Sequence, residues 1–80
     1  MAHPFGGHPT LQRYLEWLRS EGFDYRSGIL GFDPVIRVEK EGKPLLHILG
    51  ISMEEYLTPS QVDAYDRRLG VDSPFSKTPR

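Results

Sequence analysis

Val35-Ile36-Arg37-Val38-Glu39-Lys40-Glu41-Gly42-Lys43-Pro44-Leu45-Leu46-His47-Ile48-Leu49-Gly50-Ile51 is the stretch that decides the fold. Two apolar runs flank a charged link with a central glycine, the pattern of a β-hairpin. Strands are predicted over 35–40 and 44–51. A tight turn at Gly42-Lys43 would put Pro44 where a strand needs its N–H. A three-residue loop Lys40-Glu41-Gly42 avoids this, with Gly42 in the left-handed bulge position. That register gathers Ile36, Val38, Leu46 and Ile48 on one face and Val35, Arg37, Leu45, His47 and Leu49 on the other. The first face is wholly apolar and is expected to meet helices. The second is mixed, which suits partial cover or a contact surface.

Moving toward the N-terminus, Asp33-Pro34 is a turn signal. Residues 23–31 alternate Phe23 and Tyr25 with polar residues before Gly28 and Gly31 interrupt, so a strand with a bulge or bend is expected there. Before it, Leu11, Tyr14, Leu15 and Leu18 follow the i, i+3, i+4, i+7 spacing of one buried helix face. A helix is predicted over 9–21, with Pro9 at its first position. Gly22 is placed to end it in a left-handed residue, with Phe23 folding back on Leu18.

Toward the C-terminus stand two capping signatures, Ser52-Met53-Glu54-Glu55 and Thr58-Pro59-Ser60-Gln61. They predict a single helical turn at 53–57 and a helix over 59–69, stopped by Gly70 and burying Val62, Tyr65 and Leu69. The expected architecture is a small two-layer α+β domain of order α-β-β-β-(turn)-α. Its three-stranded antiparallel sheet carries the helices on one face. The domain is expected over 10–71, between a flexible arm at 1–9 and a tail at 72–80.

The chain has 80 residues, no cysteine, and 10 basic against 11 acidic residues. No disulfide framework or thiolate metal site can form. The balanced charge argues against a general nucleic-acid binder. No apolar run approaches the roughly 18–20 residues that span a bilayer, and residues 1–9 lack the pattern of a signal peptide. A cytoplasmic location and no membrane partner are therefore expected.

The three histidines, His3, His8 and His47, lack the spacing of a metal site, so neither metal nor cofactor is expected. His47 near Arg37 has two readings, a structural strand residue or a general base, and no nucleophile or phosphate loop accompanies it. Trp17 either closes the core edge or stands exposed with Tyr14 as a binding anchor. Arg67 and Arg68 either offset the helix dipole or contact a phosphate or acidic partner. Asp63, Asp66 and Asp72 dilute their field.

Leu15-Glu16-Trp17-Leu18-Arg19-Ser20-Glu21-Gly22-Phe23, with a short helix ending Leu69-Gly70-Val71, resembles the layout of HicA-type ribonuclease toxins. Those have a fold like the double-stranded-RNA-binding domain. That family's active histidine follows a glycine at the start of the second strand. Here the region reads Ser27-Gly28-Ile29-Leu30, so no active-site residue carries over. The expected function is a small non-catalytic protein-interaction module, an inhibitor or adaptor such as phages and mobile elements encode. Its partner would be another protein or a second copy. The alternatives are nucleic-acid binding with ribonuclease-like chemistry and an accessory subunit of a larger assembly. The candidate contact residues are Tyr14, Trp17, Arg37, Leu45, His47, Leu49, Arg67 and Arg68.

Overall fold

The computed structural model describes residues 8–75, so the readings made for His3 and for the ends of both terminal segments lie outside it. The elements run α1 (Leu11–Ser20), β1 (Asp24–Leu30), β2 (Asp33–Lys40), β3 (Lys43–Leu49) and α2 (Pro59–Leu69). The strands form one antiparallel sheet in the order β1-β2-β3. This is the expected α+β order, with both helices over one sheet face.

Ile36 pairs with Ile48 and Val38 with Leu46, so the apolar face forms as its alternation requires. Onto it pack Leu11, Tyr14, Leu15 and Leu18 of α1, Val62 of α2, and Phe23 and Leu57 from the connections. Gly22 adopts φ 97°, and the Phe23 N–H reaches the Leu18 carbonyl at 3.0 Å. The backbone pattern is a Schellman motif, which satisfies carbonyls that the end of α1 leaves without partners.

The hairpin loop is shorter than expected. Lys40 pairs with Lys43, and Glu41 (φ 53°) and Gly42 (φ 81°) form the turn. Two successive left-handed residues make a type I′ turn, whose twist matches the strands. The extra residue sits inside β3: Val38 faces Leu46, Glu39 faces Pro44, and Leu45 is the bulge. The bulge also moves Leu45 from the mixed face into contact with the core.

Three other expectations are corrected. Asp33-Pro34 opens β2, and the turn is Gly31-Phe32, with Gly31 at φ 67°. Glycine at the first turn position is what a type II′ turn requires. Strand β1 carries no bulge, for its pairing with β2 is continuous from Asp24↔Glu39 to Leu30↔Asp33. Pro9 precedes α1. Thr10 is the N-cap, its hydroxyl accepting from the Arg13 N–H, while the Pro9 carbonyl accepts from Leu57.

Residues 53–57 form turns and a bridge instead of a helical turn. Their carbonyls serve α1: Glu55 accepts from the Leu11 N–H at 2.9 Å and Met53 from Gln12 at 3.0 Å. Those are orphan N–H groups of a helix start, and a carbonyl turned toward them cannot also close its own helix. The second capping box is complete. Thr58 and Gln61 each accept from the other's backbone N–H, and α2 ends at Gly70 with φ 72°.

Candidate functional site

Asp66 lies one helical turn beyond Val62, on the buried stripe of α2, and is 4% exposed. It is not one of the surface acids around Arg67. A buried carboxyl group is costly unless its oxygens find donors. Oδ1 accepts from the Tyr14 hydroxyl at 2.6 Å, and Oδ2 accepts from the Ser73 N–H at 3.0 Å and its hydroxyl at 2.8 Å. Burial first, then Asp66, pushes the Tyr14 hydroxyl well above the usual tyrosine range. Burial also raises the Tyr65 hydroxyl. The cluster joins α1, α2 and the segment after Val71. Every polar group in it is satisfied from within the chain, the arrangement of a structural junction.

This junction draws two predicted contact residues, Tyr14 and Trp17, into the core or its edge. Tyr14 is fully buried and is no surface anchor. Trp17 is half-buried, with its ring 6.2 Å from Tyr14 and 6.3 Å, edge-on, from Phe75. It closes the core edge. Ser73 is fully buried and Phe75 packs on the core, so the start of the expected tail belongs to the folded body.

At the end of α2, Arg67 pairs with Asp63 at 3.1 Å, and Arg68 Nε donates to the Leu45 carbonyl at 3.4 Å. Both lie in the last helical turn, where a cation offsets the helix dipole.

The face of the sheet away from the helices is open. Arg26, Arg37 and His47 stand in one cross-strand row, and Gly28, Val35 and Leu49 in the next. Arg37 Nε binds Glu39 at 2.7 Å, and Arg26 Nε approaches the same carboxylate at 3.5 Å. One acid thus aligns two guanidinium groups. Gly28 contributes no side chain between the row and Leu30. The result is a concavity of about 570 Å³ lined by Arg26, Gly28, Leu30, Val35, Arg37 and His47, among others.

Beside it the β1–β2 turn carries the most exposed apolar side chains of the described residues. Phe32 is 102% exposed, Ile29 76% and Leu30 60%; Leu49, at the same end of β3, is 51% exposed, and Tyr56, outside the sheet, 57%. Leu30 and Leu49 share the open face, and Phe32 stands at the turn. Arg37, His47 and Leu49 were legible as members of this face from strand alternation. Arg26, Leu30 and Phe32 do not stand out in the sequence, because Gly28 and Gly31 interrupt the alternation and suggest a bend. The signal was Gly31, whose place between two paired runs marks a two-residue turn with Phe32 at its tip.

Among the described residues, no three histidine or acidic side chains converge as a metal site, and no helix is long and apolar enough to cross a membrane. Compared with protein-family models, with curated proteins and with solved structures, the chain matches none.

Proposed function

We propose that the protein is a non-catalytic interaction module that binds another protein through its open sheet face and the adjoining β1–β2 turn. The observation that carries this reading is the concentration of Leu30, Phe32 and Leu49 at one end of an uncovered sheet. The paired strands already fix the main chain that carries these side chains, which lowers the ordering cost of binding, and aromatic anchors dominate interface energetics. The Arg26–Arg37–His47 row supplies a polar rim with fixed orientation. Within this reading we assign it the role of an inhibitor or adaptor.

Affinity capture from lysate of the source cells tests the reading. The wild-type chain is expected to retain a specific protein. The double variant Phe32→Ser/Leu49→Ser should lose it, although exposed substitutions change stability by only about 0.5 kcal/mol. Arg67→Ala/Arg68→Ala should keep it. Retention of the same protein by the double variant would overturn the assignment of the surface. The row of basic residues also favours a second reading, nucleic-acid binding. A gel shift of RNA or DNA that weakens steeply with salt, with no protein captured, would decide for it.

A further inference from the structure

We propose that the outer edge of β1 pairs antiparallel with β1 of a second copy, across a two-fold axis at Ser27. This inference stands apart from the proposed function, since it uses a strand edge and not the open face.

The two edges of the sheet are treated differently by the fold. The β3 edge is interrupted early, by Pro44, by the Leu45 bulge and by Arg68 on the Leu45 carbonyl. Prolines, bulges and covering side chains are the usual protections of an edge. The β1 edge has none of these; its two charged residues, Asp24 and Arg26, alternate onto the open face, where Arg26 approaches Glu39, and not onto the face of Ile29. Its seven residues, Asp24–Leu30, pair continuously with β2, and all but Tyr25 are exposed. Among the described residues no segment lies along its other side.

The pairing geometry is fixed by the turn. Leu30 and Asp33 flank a two-residue turn and so form a hydrogen-bonded pair. Alternation then directs the backbone groups of Arg26 and Gly28 toward β2, and those of Tyr25, Ser27 and Ile29 outward. An antiparallel copy centred on Ser27 sets Tyr25 against Ile29 of the second copy, and Ile29 against its Tyr25. Every outward backbone group between them is then engaged. Aromatic and β-branched residues directly opposite are a favourable cross-strand pair, and this one covers Ile29.

On the other face Arg26 lies opposite Gly28 of the second copy, which leaves room for it. The register shifted by two residues would set Arg26 against Arg26, and like charges directly opposite destabilise. Each strand contributes one acid, Asp24, and one base, Arg26, so pairing gathers no net charge.

A contact made by one strand edge falls below the roughly 1,200 Å² that bounds standard interfaces, so dissociation in the micromolar range is expected. Sedimentation equilibrium of the full chain between about 10 μM and 1 mM should show a monomer–dimer equilibrium. Ser27→Pro removes an outward N–H that the chain's own ladder does not use. It should weaken dimerisation at least about tenfold. Ile29→Lys places a charge on the edge and should do the same without altering the backbone. It decides the matter if Ser27→Pro fails to fold. Phe32→Ser should leave dimerisation unchanged even where it abolishes protein capture. A chain monomeric to 1 mM, or a dimer indifferent to folded Ser27→Pro or Ile29→Lys, would overturn the proposal.

Discussion

Removing one hydroxyl, by Tyr14→Phe, changes two measurable properties. The Tyr14–Asp66 hydrogen bond is buried, so its loss should cost about 1–3 kcal/mol at neutral pH. The second effect is on pH dependence. Tyr14 and Tyr65 titrate higher in the folded chain than in the unfolded one. Their contribution is fully present below the unfolded value of about 10 and is lost as pH rises through and above it. Urea unfolding at neutral pH and at about pH 11 should show a smaller alkaline loss for Tyr14→Phe than for the wild type, with part of the loss retained through Tyr65. An identical loss in both chains would refute the role of Tyr14. The sequence held half of this junction. Val62, Asp66 and Leu69 follow i, i+4, i+7, which places an acid on an apolar stripe. Its donors come from Tyr14 and Ser73, 52 and 7 residues away, and no local pattern announces them.

At the scale of the element, the β2–β3 turn holds Glu41 in a left-handed conformation that glycine and asparagine tolerate better. Glu41→Asn creates the preferred Asn-Gly pair of a type I′ turn and should stabilise the chain by about 0.5–1 kcal/mol. A higher denaturation midpoint with unchanged slope is the expected result. The hairpin's facing residues were legible because alternation leaves one apolar set on each strand. The position of the surplus residue was not. Pro44 excludes a tight turn at Gly42-Lys43, but a turn at Glu41-Gly42 leaves its missing N–H pointing off the sheet edge. The helix of residues 59–69 was legible to the residue, because Thr58, Gln61 and Gly70 act locally. The single turn at 53–57 failed for the opposite reason: its carbonyls answer to α1, a demand invisible in that segment.

Taken as a whole, the molecule depends on residues that composition alone marks as a tail. Ending the chain at Val71 removes both Ser73 donors from Asp66 and the Phe75 ring from Trp17 and Tyr14. The expected loss exceeds about 3 kcal/mol, a large share of the 5–15 kcal/mol typical of a small domain. Thermal melts of the two chains check this, and an unchanged midpoint would show the segment to be dispensable. The global outline was legible because the apolar periodicities of 3.6 and 2 do not depend on distant partners. What periodicity cannot show is which edges of the finished sheet remain usable, and here the asymmetry has a consequence for stoichiometry. After Leu45, only His47 and Leu49 on β3 turn backbone groups outward, and Pro44, the bulge and Arg68 obstruct the rest of that edge. A strand added at β1 therefore meets no second acceptor across the sheet. Assembly by strand addition stops after one event and cannot propagate into a fibre.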